Sequence, residues 1–204
     1  MLRNKTRHER VLDGAAKILV QHGYHGLHID QLAKSVRMAK PQIYRLFDTK
    51  DEIYSAVLER ELRRIERAFE TAFARSDAGT PRGDLEQAAL RALRVLFDHH
   101  QRYPEGLSVL FGPIDWRHAH DFHRRALRRL CHRLGQALQV WSDRPLAPQS
   151  VHYMAEMLAT VAVANLGLTR AGVISALQAW DVSAAMAGTA SDACAAPSEA
   201  KCPA

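Results

Sequence analysis

The fold of this chain is decided by residues 11–58, which read VLDGAAKILVQHGYHGLHIDQLAKSVRMAKPQIYRLFDTKDEIYSAVL. Apolar residues recur at helical spacing through this stretch, and no segment alternates long enough to predict a strand. Gly23 predicts the end of a first helix at about residues 6–22, and a second helix follows at about 29–36. A third is predicted at about 40–47, with Pro41 in its first turn. Three short helices with a tight turn before the third have the geometry of a helix-turn-helix, which binds DNA through its last helix.

The residues of the third helix suit DNA recognition. Lys40 and Gln42 lie at its start, where side chains reach base edges, and Lys suits guanine whereas Gln suits adenine. Tyr44, Arg45 and Lys50 follow and can reach phosphates. The first fifty residues contain ten basic and four acidic residues, so they carry the whole net charge of +6. Such a local basic excess attracts a polyanion.

Helical periodicity continues through the rest of the chain, so we predict an all-α protein. Asp48 and Thr49 are expected to cap a fourth helix at about residues 50–75. Further helices are expected at about 84–103, 105–111, 119–141, 149–168 and 171–186. Residues 189–204 are rich in Ala, Ser and Pro and are predicted to be a disordered tail.

The same stretch resembles the N-terminal domain of the TetR family of transcriptional regulators. That family's pattern has paired alanines, a Gly-Tyr turn, Ile-x-x-Ile-Ala, then Lys-Gly/Pro-x-Leu-Tyr-x-x-Phe and a Lys-Glu pair. Residues at matching positions are Ala15, Ala16, Gly23, Tyr24, Ile29, Leu32, Ala33, Lys40, Pro41, Ile43, Tyr44, Phe47 and Lys50. The resemblance implies a DNA-binding domain at residues 1–50 and a helical effector-binding and dimerisation domain at 51–188.

Four positions depart from the family pattern. Leu27 and His28 replace the hydroxyl pair that opens the second helix, Arg37 replaces the glycine of the turn, and Ala39 replaces the serine that caps the third helix. A left-handed non-glycine residue and a lost cap each cost about 1 kcal/mol, which the fold tolerates. The predicted DNA-binding residues are His28, Arg37, Ala39, Lys40, Pro41, Gln42, Tyr44, Arg45 and Lys50.

The resemblance also implies a small-molecule effector and a homodimer formed by the last two helices. Aromatic and polar residues of the middle helices are the pocket candidates, although each could equally belong to the core. They are His99, Leu107, Phe111, Trp116, Phe122, His123, Tyr153 and Met157. For the dimer interface we expect Val151, Leu158, Ala162 and Leu166 on one helix and Ile174, Leu177 and Ala184 on the other.

Two further clusters have alternative interpretations. His118, His120 and His123 beside Asp115 and Asp121 could form a zinc site, but a histidine-rich surface is the preferred interpretation and no metal or cofactor is predicted. The helix that begins near residue 119 is rich in arginine, which favours a solvated face over a site for an anionic ligand or acidic partner. These arginines are Arg124, Arg125, Arg128, Arg129 and Arg133.

The other function classes receive little support from the sequence. It contains no glycine-rich phosphate loop, nucleophile elbow or metalloprotease motif, so an enzyme is not expected. No apolar run is long enough to span a membrane, and three unpaired-looking cysteines argue against a disulfide framework, so we expect a cytoplasmic protein. The sequence therefore predicts a DNA-binding regulator, most readily a repressor released from an inverted-repeat operator by an effector. A ligand-independent regulator and an architectural DNA-binding protein are the alternatives.

Overall fold

The chain is all-helical over the residues that the computed structural model describes, which are 6–76, 82–111, 119–170 and 181–187. Side chains are described throughout these ranges except at 76, 119–121 and 166–170. The helices are α1 (Arg7–His22), α2 (Ile29–Val36), α3 (Lys40–Tyr44), α4 (Lys50–Ser76), α5 (Leu85–Arg102), α6 (Gly106–Phe111), α7 (Ala119–Trp141) and α8 (Pro148–Arg170). Residues 181–187 form a further helical segment. Within the described ranges there is no strand, and Gly83 and Ser142 form an isolated bridge. The predicted fold class is therefore confirmed.

These helices belong to two compact units. The first unit comprises Met1–Ala68 and Asp98–Arg129, and the second comprises Phe69–Phe97 and Leu130–Ala204. These units describe packing rather than function, so the predicted functional boundary at residue 50 stays a prediction. The predicted tail at 189–204 lies outside the described residues.

The core of the first unit begins with the three N-terminal helices. Thr6 caps α1 by accepting a hydrogen bond from the backbone N–H of Glu9, whose carboxylate accepts one from the N–H of Thr6. Gly14 allows α1 and α2 to pack closely, because a Cβ at this position would lie only 2.4 Å from Cγ1 of Val36. Ile43 and Phe47 are buried, at 0% and 3% exposure, so α3 is anchored to this core.

The start of α4 is fixed by a second cap. The hydroxyl of Thr49 accepts a hydrogen bond from the N–H of Glu52 at 3.1 Å. The carboxylate of Glu52 accepts one from the N–H of Asp48 at 2.6 Å. Thr49 therefore caps α4 as predicted, whereas Asp48 contributes its backbone amide rather than its side chain.

Three of the apolar residues of α8 that the sequence predicts at the dimer interface are instead buried in the chain itself, and this corrects their predicted place. Val151, Leu158 and Ala162 are buried within the single chain, at 8%, 3% and 0% exposure. Residues already covered by their own chain cannot supply the surface of a dimer. Helical periodicity reports burial but does not identify which chain provides it, and this is why the prediction was wrong for these three residues. The homodimer through the last two helices stays a prediction. Of the other predicted interface residues, Ala184 is half-buried, and the side chains of Leu166, Ile174 and Leu177 lie outside those described.

Candidate DNA-binding surface

The turn between α2 and α3 is built around Arg37. This residue adopts the left-handed conformation, with φ 54° and ψ 49°, in which the family pattern would place glycine. Its N–H donates to the carbonyl of Lys34 at 3.3 Å, and the N–H of Met38 donates to the carbonyl of Ala33 at 3.0 Å. The side chain of Arg10 on α1 donates to the carbonyl of Val36 at 2.7 Å. The last carbonyls of α2 are thereby satisfied, which fixes the direction of the chain into α3.

The start of α3 has no side-chain cap from residue 39. Ala39 is extended and exposed, and it lacks an oxygen that could accept a hydrogen bond from the first turn. The amide oxygen of Gln42 instead accepts a hydrogen bond from the N–H of Ala39 at 3.2 Å. This is one half of a capping box, and it holds the half-buried Gln42 side chain along the start of the helix. The position of Gln42 at the start of α3 agrees with its predicted role.

Lys40 lies beside an acidic residue of α2. Its ammonium is 3.0 Å from Oδ1 of Asp30 and donates to Oδ2 at 3.2 Å. The hydrogen bond and the charge of Asp30 raise the pKa of Lys40. Both side chains are largely exposed, so the pair contributes little to stability. Its effect is to orient Lys40. Asp30 could not be identified from the sequence as the partner of Lys40, because the two residues are ten positions apart in the chain.

The remaining α3 candidates lie on the surface. Tyr44 is 45% exposed, and Arg45 and Pro41 are exposed too. Arg37 and His28 are exposed in the preceding segments, where His28 precedes α2 without forming a side-chain cap. With Lys40 and the half-buried Gln42, these residues form a basic, aromatic and polar surface at the start of α2, on α3 and on the turn between them, hereafter the recognition surface. Its contact with DNA stays a prediction.

Lys50 is less accessible than the prediction of a phosphate contact assumed. Its ammonium lies 4.2 Å from the ring centroid of Tyr24 and donates to the carbonyl of His25 at 3.4 Å. Partial burial lowers its pKa. The hydroxyl of Tyr24 donates to Asp51, and burial followed by this hydrogen bond raises the pKa of Tyr24 to about 12. This cluster attaches the segment after α1 to the start of α4, and it gives Lys50 a structural role that the sequence analysis missed.

The effector-pocket candidates do not share one unit. In the first unit, His99, Leu107 and Phe122 are buried and Phe111 and His123 are half-buried. In the second unit, Met157 is half-buried and Tyr153 is 57% exposed. The exposure of Tyr153 does not fit an enclosed pocket within one chain. Trp116 lies outside the described residues, and a common pocket for these candidates stays a prediction.

His123, which also belonged to the possible zinc site, has structural partners. Its Nδ1 donates to the carbonyl of Leu110 at 2.9 Å, and its ring meets that of Phe111 edge-on at 5.6 Å. Asp115, His118 and the side chains of His120 and Asp121 lie outside those described, so the complete cluster is not tested. Among the described side chains, no group of three or more His, Cys, Asp or Glu residues is arranged to hold a metal ion.

Two of the α7 arginines are paired with acidic residues of α4. In the first unit, Arg129 forms a bidentate pair with Glu66 at 2.8 and 2.7 Å. In the second unit, Arg133 donates to Glu70 at 2.9 Å. Arg129 is exposed, as a solvated face requires, and Arg133 is half-buried. The charges of both residues are also neutralised within their own unit, which the sequence did not predict.

Comparison with known proteins was consistent with the N-terminal geometry. Residues 11–57 match the model of a family described as bacterial regulatory proteins, tetR family. Over 105 residues the chain is 27% identical to the transcriptional activator FasR of Mycolicibacterium smegmatis, covering 52% of this chain and 45% of that protein. Over 109 residues it is 28% identical to the transcriptional repressor NicS of Pseudomonas putida, covering 52% and 47%. The matched region thus spans about half the length of these curated relatives.

Similarity of fold extends over almost the whole chain. A TetR-like transcriptional regulator from Rhodococcus sp. RHA1 superimposes with a TM-score of 0.70 at 21% identity, covering 92% of this chain and 97% of that chain. At this identity the match establishes the fold alone. No helix among the described residues is both long and apolar enough to cross a membrane.

Proposed function

We propose that the chain, whose residues 11–57 match the model of the tetR family of bacterial regulatory proteins, regulates transcription by binding operator DNA through α3. The observation that carries this proposal is the recognition surface. Lys40 and Gln42 lie at the start of a helix that Ile43 and Phe47 anchor, and exposed Tyr44 and Arg45 follow them. The basic excess of the first fifty residues supports the same function, because it favours association with phosphates.

The contacts within the recognition surface suggest a division of roles. Gln42 is held at the start of α3 by its bond to Ala39, so its amide nitrogen remains available to donate to a base edge. Lys40 is held by Asp30, and the ammonium can exchange this exposed partner for a base or a phosphate at little cost. Arg37, Tyr44 and Arg45 supply phosphate contacts that position the helix.

A titration of labelled DNA duplexes at several salt concentrations tests this proposal. The first duplex is a sequence enriched from a random library by the protein, and the second is its scrambled version. We expect Gln42→Ala to weaken binding to the first duplex by about 1–3 kcal/mol and to affect the second little. Arg45→Ala should weaken both alike and lower the salt dependence by about one unit.

Arg125→Ala is the matched control, because Arg125 is exposed on α7 and outside the recognition surface. This variant should bind both duplexes like the unmodified protein. Equal losses on both duplexes for Gln42→Ala would remove this residue from sequence recognition. Unchanged binding in both the Gln42 and the Arg45 variants would refute DNA binding through α3.

We propose that the protein acts as a repressor and that a small-molecule effector releases it from its operator. NicS is named a repressor, which supports this direction, whereas FasR is named an activator. A reporter gene under the enriched operator tests the direction, since deletion of the regulator raises expression under repression and lowers it under activation. A ligand-independent regulator is the alternative. Stabilisation of the protein by a small molecule that also weakens DNA binding would exclude it.

We propose that the operator-binding form is a homodimer formed by the outward face of α8 and the segment 181–187. Tyr153, Val182 and Met186 are 57%, 46% and 42% exposed, although each is large and apolar. Met157 lies one helical turn after Tyr153 and is half-buried. Large apolar side chains that a single chain leaves exposed favour a protein partner. A second copy of the chain would place two recognition helices on one inverted-repeat operator.

A further inference from the structure

We infer that a polar cavity in the first unit binds a small anion that carries carboxylate or phosphate groups. The cavity has a volume of about 190 Å³, and it lies between α1, α4 and the residues that connect α5 to α6. It is separate from the recognition surface. The inference goes beyond the proposed function, because it identifies a ligand site and the chemistry of its ligand whether or not the protein binds DNA.

The inner wall of the cavity is a buried network of charged side chains. Glu61 is 1% exposed, and its Oε1 accepts hydrogen bonds from Nε and a terminal nitrogen of Arg60 at 2.9 and 2.6 Å. The same oxygen accepts one from Arg64 at 2.9 Å. Arg60 also donates to Asp13 at 2.9 Å. The two arginines and the two carboxylates thus balance one another, so this wall is polar and ordered but carries no net charge.

The rim of the cavity is positively charged. Lys17 of α1 and Arg102 at the end of α5 both line it and are exposed. Neither forms an ion pair with any residue that the structure describes. Glu105 is the third charged residue of the rim and is half-buried. Two cations therefore face one carboxylate, and the rim retains a net positive charge that favours an anion.

A buried nitrogen without a hydrogen-bond partner lies behind the cavity wall, next to Gly106. His99 is 4% exposed, and its Nε2 makes no hydrogen bond among the described residues. A Cβ on Gly106, which lines the cavity, would be 3.3 Å from this nitrogen and 3.0 Å from Oε2 of Glu61. An unsatisfied buried donor costs free energy. In the tautomer that carries a proton on Nε2, a water ordered by the ligand beside Gly106 can accept from Nε2–H and satisfy it.

The electrostatic environment of His99 keeps its imidazole uncharged, as a neutral hydrogen-bonding group. Burial, together with the charges of Arg64, His100 and Arg102, lowers the pKa of His99 to about 4. The imidazole is therefore neutral at neutral pH. The ring centroids of Tyr103 and His99 are 5.2 Å apart. The guanidinium carbon of Arg64 lies 4.3 Å from the centroid of the Tyr103 ring, which lines the cavity. These contacts order the donors around the cavity before a ligand binds.

Isothermal titration calorimetry of the full chain tests the inference, with inorganic phosphate and succinate as separate probes at constant ionic strength in chloride. We expect at least one probe to bind with a stoichiometry of one per chain. Phosphate alone would identify a phosphorylated ligand, and succinate alone a carboxylate ligand. The double variant Lys17→Ala, Arg102→Ala should bind at least about ten-fold more weakly. Both residues are exposed, so the substitutions leave the core intact.

The matched control is the double variant Lys34→Ala, Arg125→Ala, which removes the same charge from exposed positions outside the cavity. It should bind the probe like the unmodified protein. NMR of the imidazole of His99 supplies a second measurement, because a bound anion should raise its pKa. Failure of both probes to bind, or equal losses in the two double variants, would overturn the inference. These outcomes would not bear on the proposal of DNA binding, because no DNA is present in these titrations.

Discussion

Ala39 is the residue at which a single hydroxyl group would complete the capping box of α3. The Gln42 side chain already accepts a hydrogen bond from the N–H of Ala39, but residue 39 offers nothing in return. Ala39→Ser adds an oxygen that can accept from the N–H of Gln42. We therefore expect the free energy of unfolding to rise by about 1 kcal/mol, as measured by urea denaturation. Ala74→Ser, at an exposed position within α4, is the control and should give no increase. Equal effects of the two substitutions would contradict the capping argument.

His99 should make the stability of the protein depend on pH. Its pKa falls from 6.5 to about 4 on folding, chiefly because of burial. Between these values the unfolded chain binds a proton that the folded chain does not, so stability falls as the pH drops from 6.5 toward 4. Above 6.5 the imidazole is neutral in both states and contributes no slope.

The test compares the pH dependence of the free energy of unfolding in the unmodified protein and in His99→Gln. The variant lacks the titrating group, so we expect its stability to fall less over this range. Parallel curves for the two proteins would show that His99 is not the source. The amide of Gln retains a polar side chain of similar length at the site, which limits the loss of packing.

At the scale of helices, the sequence predicted those elements whose limits depend on local chemistry. The bounds of α2 and α7 agree with the prediction, and Thr6 and Gly23 delimit α1. The third helix is shorter than predicted, since it ends at Tyr44. A turn follows it and places Phe47 in the core. The partners of Lys40 and Lys50 could not be predicted, since Asp30 and Tyr24 meet them only through tertiary packing.

The charged network between α1 and α4 is expected to be a major contributor to the stability of the first unit. Glu61→Gln removes the buried negative charge and leaves Arg60 and Arg64 incompletely compensated. We expect a loss of about 3–5 kcal/mol, as is typical when one partner of a buried ion pair is removed. Glu59→Gln is the control on the same helix, because Glu59 is 41% exposed, and it should cost less than about 1 kcal/mol. Similar losses in both variants would show that burial of the network contributes little.

For the molecule as a whole, the composition indicates a basic N-terminal region but does not identify the surface that would contact a second copy in the proposed homodimer. The described residues of the apolar stripe predicted on α8 are buried, whereas exposed Tyr153 lies elsewhere on that helix and Val182 and Met186 lie in the segment 181–187. The sequence predicts Tyr153 as a pocket residue, because aromatic residues occur both in ligand pockets and at protein interfaces. Only the three-dimensional structure distinguishes core residues from surface residues on these helices, since it shows which side chains are buried within a single chain.

The oligomeric state provides a test of that assignment. A homodimer should have twice the monomer mass of 22.8 kDa in light scattering at micromolar concentration. Tyr153→Asp places a charge on the proposed interface and should shift the mass toward that of the monomer. Glu86→Ala, an exposed position on α5, is the control and should leave the mass unchanged. A monomer in the unmodified protein, or a dimer unaffected by Tyr153→Asp, would contradict the proposed interface.

The central claim is that a symmetric pair of α3 helices recognises DNA, and selection from a library of random duplexes tests it most directly. Duplexes retained by the protein are sequenced after successive rounds. Two recognition helices should meet successive major grooves about 34–36 Å apart. We therefore expect enrichment of an inverted repeat whose half-site centres are separated by about one helical turn, together with loss of preference at one position per half-site in Gln42→Ala. Enrichment of no common sequence, or of one that Gln42→Ala selects unchanged, would contradict it.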